Sequence, residues 1–121
     1  MGKRILIVDD EPDVVRVVQA RLTVAGYQSL TAFDGQEGYD KARSEKPDLI
    51  ILDLMLPKLN GYQVCRLLKS DEDCKQIPII IFTARAQESD IKTGLEVGAD
   101  AYLTKPYDPE VLLGKVKELI K

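Results

Sequence analysis

The sequence predicts an α/β domain, a three-layer sandwich in which a five-stranded parallel sheet carries five helices on its two faces. Apolar runs of strand length alternate with segments of helical period five times along the chain. Most of these runs lack apolar–polar alternation, so their strands are buried on both faces, as parallel strands are. Right-handed crossovers then lay the intervening helices over both sides of the sheet.

The first run, Ile5 to Val8, is β-branched and bounded by charge. Val14, Val15, Val18 and Leu22 follow at helical spacing until Gly26, a natural residue just past a helix end. Gln28, Leu30 and Ala32 alternate like a half-buried edge strand, and Asp34 with Glu37 forms a capping-box pattern for a helix carrying Tyr39 and Ala42. Leu49 to Leu52 is a third apolar run, closed by Asp53. After Pro57 and Gly61 comes a helix with Val64, Leu67 and Leu68 facing inward. Pro78 to Phe82 is the fourth buried run, and a helix from about Gln87 through Ile91 and Leu95 reaches Gly98. The fifth strand is Ala101 to Thr104. The last helix takes Asp108 as N-cap and Pro109 as its first residue, and buries Leu112, Val116 and Leu119 or Ile120.

Composition narrows the function classes. The 121 residues carry 17 Lys+Arg and 20 Asp+Glu, a net charge of −3, without the basic stripe of a nucleic-acid surface. About two-thirds of the unfolded surface is buried at this size, enough for a metal-free core. Cys65 and Cys74 form no CxxC pair and read as reduced thiols of a cytoplasmic protein. The absence of histidine excludes Ser-His-Asp and Cys-His triads and histidine metal sites within the chain. The apolar run in MGKRILIVDD is too short for a signal peptide or membrane span. No linker or repeat divides residues 1–121, which read as one domain without an output domain.

Parallel α/β sheets place their sites at the C-terminal edge of the strands. There the chain presents Asp9-Asp10, Asp53, Thr83 and Lys105. In the strand order 2-1-3-4-5 the first and third strands are neighbours, so three carboxylates share one crevice. Hard oxygen ligands without histidine or thiolate suit Mg²⁺. Taken singly, Asp9-Asp10 serves equally well as a helix cap, Asp53 as a turn residue, Lys105 as a solvated strand end and Thr83 as an ordinary strand residue. Lys105 precedes Pro106, whose peptide bond can be cis and would fix the lysine's direction. Tyr102 is either a core-edge aromatic or a movable reporter. Together the set describes phosphoryl transfer to a carboxylate, with Asp53 attacking in line.

These residues resemble the receiver domain of two-component response regulators, the chemotaxis-type, flavodoxin-like fold. IVDDEP, LDLMLPKLNG, FTAR, GADAYLTKP and DPEVLLGKV stand in the family's order and spacing over essentially the whole chain. The resemblance implies that Asp53 is the phosphoacceptor, that Asp10, Asp53 and the Met55 carbonyl bind Mg²⁺ directly, and that Asp9 assists through water. It further implies that Thr83 and Lys105 contact the phosphoryl group, that Tyr102 is a switch aromatic following Thr83, and that Lys105–Pro106 is cis. The implied donor is a phosphohistidine on a sensor histidine kinase or histidine phosphotransfer protein. The domain would be a phosphoacceptor switch with self-catalysed phosphotransfer and autodephosphorylation, tuned in part by Met55 and Arg85. Its readers would be a downstream effector protein or an output domain, without membrane or direct nucleic-acid binding by this domain.

Residues 94–107 lean toward the winged-helix transcription-regulator branch, whose receivers form phosphorylation-dependent homodimers through the fourth helix, fifth strand and fifth helix. Ala101 replaces the second acid usual there, and Lys115 and Lys117 approximate its arginines. Three other readings compete. A haloacid-dehalogenase-type phosphatase needs a general acid two residues after the nucleophile, where this chain has Met55. A nucleotide or flavin module needs a glycine-rich turn where Asp9-Asp10-Glu11-Pro12-Asp13 would repel phosphate. A receiver that serves as an unphosphorylated interaction module would need a defect at one of the five site positions.

Overall fold

The computed structural model describes residues 2–83, 92–93, 96–104 and 108–120. Strand and helix alternate along it: β1 (Arg4–Val8), α1 (Pro12–Val24), β2 (Gln28–Ala32), α2 (Gly35–Glu45), β3 (Leu49–Leu52), α3 (Gly61–Lys69), β4 (Ile79–Thr83), β5 (Ala101–Thr104) and the C-terminal helix α4 (Pro109–Leu119). All strand pairs are parallel, in the order β2-β1-β3-β4-β5. Of the five helices expected, these four are described among the resolved positions. The helix expected from about residue 87 to 98 falls largely on residues outside the description, although Lys92, Thr93 and Glu96 are helical and Gly98 follows with a φ of 102°.

The uninterrupted apolar runs have a simple physical origin. Side chains alternate across a strand, and here each set meets its own core. Leu6, Val8, Ile50, Leu52, Ile79 and Ile81 pack with Ala42 of α2 and Val64, Cys65 and Leu68 of α3. Ile5, Ile7, Leu49, Ile51, Ile80 and Phe82 pack on the other face with Val15, Val18 and Leu22 of α1 and Leu112 and Val116 of α4. The two edge strands are only partly buried: β2 runs from exposed Gln28 to buried Ala32, and β5 buries Ala101 while Tyr102 to Thr104 are half-buried.

Helix ends follow the expected chemistry with two adjustments. Asp34 caps α2 by accepting from the Glu37 amide at 2.7 Å, while the Glu37 carboxylate reaches back to the Phe33 amide, one residue before the cap. The Glu37 amide, with the Lys58 ammonium beside it, holds the Asp34 carboxyl below the usual carboxylate range. That contribution to stability is present above the unfolded-state value and is lost as pH falls through the lowered one. A full capping box closes α3 instead, between Asn60 and Gln63. Leu67, expected inward, is 40% exposed. At 100° per residue, Val64, Cys65 and Leu68 form one stripe, and Leu67 falls beyond its edge.

Opposite the strand C-termini, two aspartates lock neighbouring strands. Asp48 accepts from the Arg4 amide at 2.8 Å, and Asp100 accepts from the Ile79 amide at 2.8 Å. Asp100 also receives Lys69, whose ammonium donates to the carbonyls of Ile77 and Lys75 as well. Three donors thus meet three acceptors. Lys69→Ala strands these acceptors and is expected to lower stability by about 1–3 kcal/mol in chemical denaturation, with no change in the denaturant slope.

Both cysteines are free and buried. Burial pushes the Cys65 thiol up to about 11 and raises that of Cys74 as well. The thiolate fraction at pH 7–8 is therefore minute. A disulfide reagent is expected to label both sites only at the rate of opening, and immediately once urea unfolds the chain; rapid labelling of the native protein would contradict this. Among the described residues, no helix is long and apolar enough to cross a membrane.

Candidate phosphoacceptor site

The acidic residues converge because the sheet register brings their strand ends together. Val8 pairs with Leu52, so the residues that follow, Asp9 and Asp53, leave adjacent strands side by side. Their amides continue the ladder, Asp53 to the Val8 carbonyl at 2.8 Å and Asp9 to the Ala32 carbonyl at 3.0 Å. Both side chains are buried, at 2% and 4% exposure, whereas Asp10 is exposed. Carboxylate oxygens of Asp9, Asp10, Glu11 and Asp53 all lie within 4.8 Å of one another.

Glu11 was not singled out by its sequence position, although it extends the Asp9-Asp10 run. Neither Asp9 nor Asp10 is the N-cap of the helix that follows. Glu11 itself is the N-cap of α1 and makes no side-chain capping bond, while Asp9 accepts from the Glu11 amide at 2.9 Å. Four carboxylates so close repel one another unless a cation lies among them. An all-oxygen donor set without imidazole or thiolate fits a hard divalent ion such as Mg²⁺.

The loop after Asp53 is held on both sides. The Met55 amide donates to Asp53 Oδ1 at 3.4 Å, and the Gly61 amide donates to the Leu54 carbonyl at 2.9 Å. A Cβ on Gly61 would lie 2.5 Å from the Asp53 carbonyl oxygen, so α3 can start this close to the site only with glycine there. Met55 is exposed, whereas Leu54 is buried and anchors the loop in the core.

Thr83 ends β4 and is fully buried. Ile81 pairs with Tyr102, so Ile81, Thr83 and Tyr102 share one face of the sheet, and Tyr102 packs half-buried against the core there. Lys105, Pro106 with its expected cis bond, and Arg85 lie outside the described residues.

The fold that carries these strand-end groups has close counterparts. The model of the response regulator receiver domain matches residues 5–117. The chain belongs to the response regulator receiver domain family. It is 46% identical over 121 residues to the alkaline phosphatase synthesis transcriptional regulatory protein PhoP of Bacillus subtilis (strain 168), covering 100% of this chain and 50% of that protein. The receiver spans about half the length of the curated relatives it matches.

Among solved structures it is similar to Vibrio cholerae chemotaxis protein CheY4, with a TM-score of 0.92, 31% identity and coverage of 98% and 99% of the two chains. It is equally similar to the receiver domain of a sensor histidine kinase from Pseudomonas aeruginosa PAO1, solved with magnesium coordinated in the active-site cleft, at a TM-score of 0.92, 32% identity and coverage of 99% and 98%. The strand order and the family expected from the sequence are thereby both established. As a receiver domain of two-component response regulators, the chain is a signal-transduction module.

Proposed function

We propose that residues 1–121 act as a phosphorylation switch in which Asp53 is the phosphoacceptor. The observation that carries this reading is the burial of Asp53 beside Asp9, Asp10 and Glu11 at the strand C-termini. An Asp53 carboxylate oxygen attacks the phosphorus of a phosphohistidine carried by a sensor kinase or phosphotransfer protein. The P–N bond breaks, its electron pair stays on the imidazole nitrogen, and an acyl phosphate forms on Asp53.

Asp9, Asp10, Asp53 and the Met55 carbonyl would hold Mg²⁺, which when bound neutralises charge on the transferring oxygens. The magnesium coordinated in the active-site cleft of the Pseudomonas receiver supports a magnesium reading of this cleft. The Thr83 hydroxyl would donate to a phosphoryl oxygen, and Lys105 would supply a positive charge. Hydrolysis of the acyl phosphate returns the switch, with Met55 and Arg85 tuning its lifetime.

The new charge of about −1.5 to −2 favours one of two packings of the loop after β4, and Tyr102 on the same face follows Thr83 inward. The surface of β5, α4 and the helix before β5 then presents the state to an effector or output domain, or to a second phosphorylated copy. Nucleic-acid contact belongs to an output domain, because this domain carries a net charge of −3.

Intact-mass analysis with a small acyl phosphate tests the reading: one phosphoryl group is expected with Mg²⁺ and none with chelator. Addition that is indifferent to the metal would overturn it. Tyr102→Ala is expected to keep phosphorylation within about threefold of wild type. It should also remove the phosphorylation-dependent change in β5 amide exchange, and an undiminished change would refute the role of Tyr102.

A further inference from the structure

The loop after Asp53 is gripped by an element that supplies no ligand, the start of α2. The Gly35 amide donates to the Pro57 carbonyl at 3.3 Å. A Cβ at Gly35 would lie 1.9 Å from the Leu59 carbonyl oxygen and 2.7 Å from the Leu59 carbonyl carbon and Cβ, so the backbones of α2 and the loop are in direct contact. Next to this contact, Lys58 sits at a φ of 70° and its ammonium lies 3.4 Å from the Asp34 carboxylate. The capping aspartate of α2 thus also faces the loop. From the other side, Gly61 closes on the Asp53 and Leu54 backbone. Met55 lies between these two grips.

We infer that Gly35, with the Asp34–Lys58 pair, is a positioning element for the metal site: α2 presses the 54–60 loop against the strand ends and so sets the placement of the Met55 carbonyl relative to Asp53. The inference rests on the Mg²⁺ reading of the acidic site. Outer contacts that orient ligands commonly govern metal affinity by about 10–100-fold. A side chain at Gly35 has no room beside backbone atoms, so the loop must move away from α2. The strand ends that carry Asp9 and Asp53 are fixed by the ladder and stay in place.

Gly35→Ala is therefore expected to weaken Mg²⁺ binding about tenfold. Phosphorylation by a small acyl phosphate at saturating Mg²⁺ should stay within about threefold of wild type. Val116→Ala, in the core on the opposite side of the sheet, is the stability control. It should lower the denaturation midpoint while leaving Mg²⁺ affinity unchanged. Equal Mg²⁺ affinity in Gly35→Ala and wild type would overturn the inference, as would equal weakening in the control.

A measurement on the wild type alone guards against failure of the variant to fold. Because coupling is reciprocal, saturating Mg²⁺ is expected to slow hydrogen exchange of the Gly35 amide several-fold. The Gly38 amide, bonded within α2 to the Asp34 carbonyl, should be little affected. An unaltered Gly35 exchange rate in a protein that binds Mg²⁺ refutes the positioning role. Failure of the wild type to bind Mg²⁺ overturns the metal reading, and the inference with it.

Discussion

Asp53→Asn is expected to abolish phosphoryl uptake, a loss of several orders of magnitude, because an amide oxygen cannot form the acyl phosphate. The substitution is nearly isosteric and leaves the Asp53 amide free to keep its bond to the Val8 carbonyl. The variant should therefore fold as wild type does. It should also be somewhat more stable without metal, since one charge is removed from a cluster of four neighbouring carboxylates. Retention of phosphorylation at more than a few per cent of the wild-type rate would move the acceptor elsewhere.

The second large effect concerns the acids beside it. Chelating divalent ions is expected to slow phosphorylation by about a hundredfold or more. Asp10→Ala should weaken Mg²⁺ binding by about 10–100-fold, while phosphorylation recovers in part at high Mg²⁺. Stability provides an independent sign. Mg²⁺ binds the folded cluster and should raise the wild-type thermal midpoint by mass action. Asp10→Ala should raise the metal-free midpoint and flatten its dependence on Mg²⁺. Identical midpoints of wild type with and without millimolar Mg²⁺ would contradict the metal site.

Much of this was legible in the residues themselves. The doubly apolar runs Ile5–Val8 and Leu49–Leu52 imply a covered parallel sheet, and once the strand order is given, Asp9 and Asp53 become neighbours by register alone. The core was less legible at its margins. Leu67 has the hydropathy of a core residue, yet the angular position of the Val64, Cys65 and Leu68 stripe leaves it exposed. Glu11 could be found only as the third member of an acidic run, because its carboxylate joins the cluster through the course of the chain after Asp9.

Gly35 and Gly61 carried no such signal. Asp34 reads only as a helix cap and Gly61 only as a loop residue, whereas Gly61 is the first residue of α3, and the contacts that make these glycines necessary come from Leu59 and Asp53, fixed only by tertiary packing. The same holds for Lys69, an unremarked basic residue whose three acceptors come from the turn before β4 and from Asp100.

The central claim is that Asp53 takes a phosphoryl group from a nitrogen donor. The most direct test incubates the protein with phosphoramidate and Mg²⁺, traps the product by borohydride reduction and locates the modified residue by peptide mass spectrometry. The account predicts a single reduced site at Asp53, absent with chelator and absent when hydroxylamine treatment precedes the reduction. A phosphoryl group on a hydroxyl residue, or no modification in a protein that is folded and metal-loaded, would contradict it.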